Sequence, residues 1–166
     1  MNAFFRLGLK VTAALCLLCL LLTCGHPASA GGRMLTITNP QTGLVARLPL
    51  AGVDSLAIRF FHSYDRQWVQ ESFKIAAGRF VPTGVIYKDD SYDYRDQRYR
   101  SRALVEPAQV RLVDIDPLPS DHLKSIATRI AHTKPQQLLL TKGSKTQVHL
   151  FSQWGRPGQP LVFCVR

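Results

Sequence analysis

The segments SLAIRFFHSY at 55–64 and WVQESFKIA at 68–76 decide the fold. Both alternate apolar and polar side chains with a period of two, the signature of half-buried strands. In the first, Leu56, Ile58, Phe60, His62 and Tyr64 share a face, and Ala57, Arg59, Phe61 and Ser63 take the other. In the second, Val69, Glu71, Phe73 and Ile75 oppose Trp68, Gln70, Ser72 and Lys74. Only Asp65, Arg66 and Gln67 separate them, so they form an antiparallel hairpin.

The same period extends outward. Residues 34–38 and 44–50 flank the turn Asn39-Pro40-Gln41-Thr42-Gly43. Residues 79–88 alternate but carry Pro82 and Gly84, which marks an edge strand or a bulge. Residues 103–115 split at Pro107, residues 137–142 and 146–153 flank Gly143-Ser144-Lys145, and 161–165 form a last strand. One stretch has a helical period. Leu123, Ile126, Ala127 and Ile130 follow Ser120, a good N-cap, and Pro135 stops continuation. The expected fold is mainly β: a single antiparallel β-sandwich or partly closed barrel, with one short flanking helix at about 121–132.

Residues 1–30 have the form of an export signal. Arg6 and Lys10 precede an apolar run, Val11 to Thr23, of 13 residues. That suits a signal core and falls short of the ~20 residues of a spanning helix. Pro27 breaks the run and Ala28-Ser29-Ala30 offers cleavage after Ala30, leaving 31–166 as one β-rich domain. An alternative processing point is Cys24, after Leu21-Leu22-Thr23, which would make a lipid-anchored structural protein. Either route places the chain in the periplasm or at an envelope membrane.

The chain has 166 residues and a formal charge of +10, which falls to +8 without Arg6 and Lys10. On an exported chain that excess points to an anionic membrane surface or an acidic ligand, not to nucleic acid. Beyond the signal only Cys164 remains, so no internal disulfide or Cys-x-x-Cys pair exists there. Its apolar neighbours make it a buried small hydrophobe. His122, His132 and His149 are too dispersed for joint ligation, and neither metal nor cofactor is expected.

Two groups remain as candidate sites. His62 and Glu71 each stand on the apolar face of their strand. A two-residue turn at Arg66-Gln67 would put them directly opposite, close enough for an imidazole–carboxylate bond. A three-residue loop would set His62 against Gln70. With Ser63, the pair has three readings: a structural bond that fixes register, an anion site, or a hydrolase with Ser63 as nucleophile and His62 as base. Adjacent strand residues face opposite ways, which disfavours the last. The second group is the tract YKDDSYDYRDQRYRSR at 87–102. Tyr92, Tyr94, Arg95, Arg98 and Tyr99 are residue types that dominate binding surfaces. The same tract reads equally as a solvated loop. Asp89, Asp90, Asp93 and Asp96 lack the glycine and terminal glutamate of a calcium-binding EF-hand loop.

Residues 35–76 also resemble a bacterial family, domain of unknown function 1850. The features that carry it are LTITNPQTGLVARLPL at 35–50, FFHS at 60–63 and VQESFKI at 69–75. The resemblance implies a secreted, mainly β protein, and it implies no known catalytic activity. It also implies an accessory role beside the TAXI type of tripartite ATP-independent periplasmic (TRAP) transporters, with a permease or solute receptor as partner. The expected function is therefore an exported, non-enzymatic binding or accessory module, with an envelope hydrolase as the alternative.

Overall fold

The computed structural model describes residues 32–88 and 100–166, which belong to one compact unit, Gly32–Arg166. Residues 1–31, where an export signal and Cys24 are expected to act, and the tract residues 89–99 lie outside the described residues. Eleven strands run in chain order: β1 (Met34–Asn39), β2 (Leu44–Pro49), β3 (Ser55–His62), β4 (Gln67–Ala76), β5 (Arg79–Tyr87), β6 (Arg100–Glu106), β7 (Gln109–Asp116), β8 (Ser125–Arg129), β9 (Gln137–Lys142), β10 (Lys145–Leu150) and β11 (Pro160–Val165). They form two antiparallel sheets, neither closed into a barrel. The narrow sheet has the order β2-β1-β11-β8 and the wide sheet β10-β9-β3-β4-β5-β7-β6. The fold is thus mainly β and sandwich-like. No helix among the described residues is long and apolar enough to cross a membrane.

The period-two pattern is realised in the core. Leu35 and Ile37 of β1 and Leu161 and Phe163 of β11 project from the narrow sheet and are at most 1% exposed. They meet Leu56, Ile58, Phe73, Leu138 and Leu140 from the wide sheet. Each such side chain contributes ~1.5–3 kcal/mol of burial. A second, smaller cluster joins Val69, Val85, Tyr87, Val110 and Leu112, all from the wide sheet.

β5 lies between β4 and β7, but β7 pairs only with Val85, Ile86 and Tyr87; Pro82 and Gly84, paired on the β4 side alone, mark a bulge. Its register against β4 shifts between Ser72 and Phe73, leaving Thr83 as the extra residue.

The expected helix at 121–132 is replaced by a 3-10 turn, Pro119–Asp121, and strand β8. Ser120 does not cap a helix; instead Asp121 Oδ2 accepts a hydrogen bond from Leu118 N at 2.8 Å. Leu123 exchanges two 2.9 Å backbone bonds with Phe80. Ile126 and Ile130, four apart, fit a helical period and a period of two alike; Thr128 between them fits only the period of two, and all three are β-branched. The open edge of β11 supplied the ladder that decided between them, pairing Ile126 with Phe163 and Thr128 with Leu161. Cys164 is half-buried on the face of β11 opposite Phe163, not in the core.

One polar side chain ties the far ends of the domain together. Asn39 is fully buried. Its Oδ1 accepts from Gln41 N at 3.1 Å and Thr42 N at 3.3 Å, closing the β1–β2 turn. Its Nδ2 donates to Trp154 O at 3.0 Å and Gln159 Oε1 at 3.1 Å. Gly155 fits against this amide, since a Cβ there would stand 2.5 Å from Asn39 Nδ2.

Asn39→Asp keeps the shape but turns the donor end into an acceptor facing two acceptors, so it should lower unfolding free energy by about 3 kcal/mol or more. Gly155→Ala should cost about 1–3 kcal/mol through crowding. Gln41→Ala, on the exposed side of the same turn, should stay within about 0.5 kcal/mol of wild type. Urea midpoints measure all three; an unchanged midpoint for Asn39→Asp would remove the amide from its central position.

Candidate functional site

The β3–β4 hairpin sets the geometry of the candidate residues. Its register pairs Ile58 with Glu71, Phe60 with Val69 and His62 with Gln67. The turn therefore contains four residues, Ser63 to Arg66, instead of the two or three expected. Asp65 folds back so that its Oδ2, shut off from water, lies 2.7 Å from His62 Nδ1, and Arg66 takes φ 54°, the left-handed region. The shift is an even number of residues from the two-residue register, so His62 and Glu71 still share the inward face. They are four positions apart along β4, on the order of 13 Å at ~3.3 Å per residue. The cross-strand His62–Glu71 bond does not form. The imidazole's short contact is to its own turn, and Glu71 borders a cavity of about 280 Å³ with Ile58, Phe60, Phe73, Leu123 and Ile126. Ser63 is exposed in the turn.

Tyr92, Tyr94, Arg95, Arg98 and Tyr99 fall outside the described residues. The two described ends of their tract differ from each other. Tyr87 is 1% exposed in the second core cluster, and Arg102 Nη2 pairs with Asp114 Oδ2 at 2.7 Å. His149 stacks on Trp154 with ring centroids 6.1 Å apart. Among the described residues, no group of three or more His, Cys, Asp or Glu side chains could hold a metal.

The outward face of the wide sheet carries a grouping that the strand pattern alone did not single out. Register places Phe61 opposite Trp68, Arg59 opposite Gln70 and Gln70 opposite Ile86. Arg59, Trp68, Gln70 and Ile86, with Arg66, Lys88 and Gln109, line an open hollow of about 390 Å³. The Arg59 guanidinium lies over the Trp68 indole, 4.9 Å from its centroid. Phe61 meets Trp68 edge to face at 5.6 Å, and Lys134 Nζ stands 4.2 Å over the Phe61 ring. Each cation–ring contact at such an exposed site is worth ~0.5–1 kcal/mol. Gln67, buried beneath, accepts from Lys88 N at 2.6 Å and joins the start of β4 to the end of β5.

Among the described residues the charges lining the hollow are of one sign. Arg59, Arg66 and Lys88 line it, and no Asp or Glu is among its described lining residues. Glu106, on the β6–β7 hairpin, is engaged by Gln109 Nε2 at 2.7 Å and Arg111 Nη1 at 3.7 Å. The described lining also contains no Ser, Cys or His. Chemically it offers three cations, two primary amides and an aromatic wall: donors for an anion and a flat apolar surface beside them. The sequence signal for it was the polar-face sequence Arg59, Phe61, Trp68, Gln70, where a tryptophan stands among cations and amides on the side expected to meet water.

No family model, curated protein or solved structure matches the chain.

Because His62 and Glu71 are separated, His62→Ala and Glu71→Ala should act independently. The double variant should lose the sum of the two single losses within about 0.5 kcal/mol. Coupling beyond that in a urea double-mutant cycle would restore the cross-strand pair.

Proposed function

We propose that this protein is an exported, non-enzymatic binding module that captures a small anionic solute in the hollow on the outward face of its wide sheet. The observation that carries the reading is the set Arg59, Arg66 and Lys88 around Trp68, with no carboxylate in the described lining. Cations held together at a concave surface attract an anion over distance and gain most when the site excludes water. The indole and Ile86 supply an apolar surface, and Gln70 and Gln109 supply neutral donors that orient a carboxylate or phosphate. The absence of a nucleophile–base pair from the described lining fits capture better than turnover. An accessory place in TRAP-TAXI uptake, handing the solute to a permease or receptor, rests on the resemblance at 35–76.

Titration with small aromatic and aliphatic carboxylates and with inorganic phosphate tests this. Binding should quench Trp68 fluorescence, weaken with added salt, and fall about tenfold in each of Arg59→Gln and Lys88→Gln. The quench should vanish in Trp68→Phe, which leaves only the buried Trp154. No binding by any of these anions, or binding indifferent to both charge variants, would overturn the reading. Ester or peptide hydrolysis lost in a folded His62→Ala variant would replace it with the hydrolase alternative.

A further inference from the structure

At the β10 end, the inner face of the wide sheet reaches past the core. On β9, Leu138 and Leu140 are buried, and Lys142, two positions on along the same face, is exposed. On β10, Lys145 lies opposite Lys142, Gln147 opposite Leu140 and His149 opposite Leu138. A strand wholly packed in a sandwich would carry apolar residues there. Instead, Lys145 and Gln147 are exposed and look into a cleft of about 510 Å³. Pro49, Val53 and Leu140 give that cleft an apolar wall, and Lys142 and Lys145 stand among its polar lining.

Three features point to what it holds. The two lysines are directly opposed on one face of an antiparallel pair, an arrangement that repels without a counter-ion. Lys142 is held in place: Nζ donates to Ala51 O at 3.3 Å, and the stem lies against Gly52, where a Cβ would come within 2.7 Å of Lys142 Cε. Gly52 has φ 71°, so both its backbone and its missing side chain serve that placement. The acid on the adjoining loop, Asp54, accepts from Gly143 N at 2.6 Å and does not line the cleft. Two ammonium groups thus stand beside an apolar slot with no carboxylate among its described lining residues.

We propose that this cleft binds a medium-chain fatty acid, its carboxylate between Lys142 and Lys145 and its acyl chain along Pro49, Val53 and Leu140. An inorganic anion would use the lysines and leave the apolar wall wet. A neutral amphiphile would cover the wall and leave the lysines repelling each other. A fatty acid matches both halves. None of the residues involved lines the solute hollow, so the two sites stand or fall separately.

The test is calorimetric titration of the purified full chain with dodecanoate below its micelle concentration, with acetate and dodecyl maltoside as probes of head and chain alone. Dodecanoate should bind one equivalent, acetate should not bind, and dodecyl maltoside should bind at least about tenfold more weakly. Lys142→Gln combined with Lys145→Gln should weaken dodecanoate by about tenfold or more and leave dodecyl maltoside unchanged. Gln147→Trp, at an exposed position of β10, should block dodecanoate by filling the slot. Lys145→Gln alone should leave the melting temperature of the empty protein unchanged or raise it, because it removes a repulsion. Failure of dodecanoate to bind, equal affinity for dodecyl maltoside, or binding indifferent to both the lysine and the Gln147 variants would overturn the proposal.

Discussion

Four strands cannot cover seven. The narrow sheet places Leu35, Ile37, Leu161 and Phe163 over β9, β3, β4 and the first half of β5, where the large core lies. Beyond that contact the wide sheet needs other solutions. Toward β7 it gathers its own cluster around Tyr87, and toward β10 its inner face turns polar. The cleft beside Lys142 is a consequence of this unequal width. The main core explains stability, and the margins of the wide sheet hold the groupings of chemical interest.

The charges follow a division of labour. Several described acids have close partners: Asp65 with His62 and Asp121 with Leu118 N inside their own turns, Asp54 with Gly143 N of the β9–β10 turn, and Asp114 with Arg102 of the neighbouring strand. Short carboxylates are good turn acceptors because they reach their neighbours' backbone. Cations with long stems cannot close turns this way, so they collect on sheet faces, as Arg59 and Lys88 do outside and Lys142 and Lys145 do inside. Part of the basic excess of the chain is therefore local, with turns holding acids and two concavities holding bases.

Most strands were legible because alternation needs only the identity of each residue. Register was not, because it depends on the turn. Residues 63–66 contain no glycine or asparagine to announce a type, and Asp65 found His62 instead of leaving Glu71 to do so. β8 reads as a helix in the sequence because Ile126 and Ile130 satisfy either period until the free edge of β11 is known. The outward hollow escaped notice for a related reason. Arg59 and Trp68 come from two strands and Lys88 follows the end of a third, and only pairing across them makes one surface.

Asn39 has one more property, which concerns ageing instead of folding. Asparagine side chains lose ammonia over time when the next residue's backbone nitrogen attacks the side-chain carbonyl, leaving aspartate or its isomer. That conversion would introduce a carboxylate where Nδ2 now meets Trp154 O and Gln159 Oε1. The next residue is Pro40, whose nitrogen carries no hydrogen and cannot form the cyclic imide. The proline that helps turn the chain between β1 and β2 thereby closes the usual chemical route to damage of the buried amide. The joint between the two ends of the domain is protected from slow hydrolytic wear by its own neighbour in sequence.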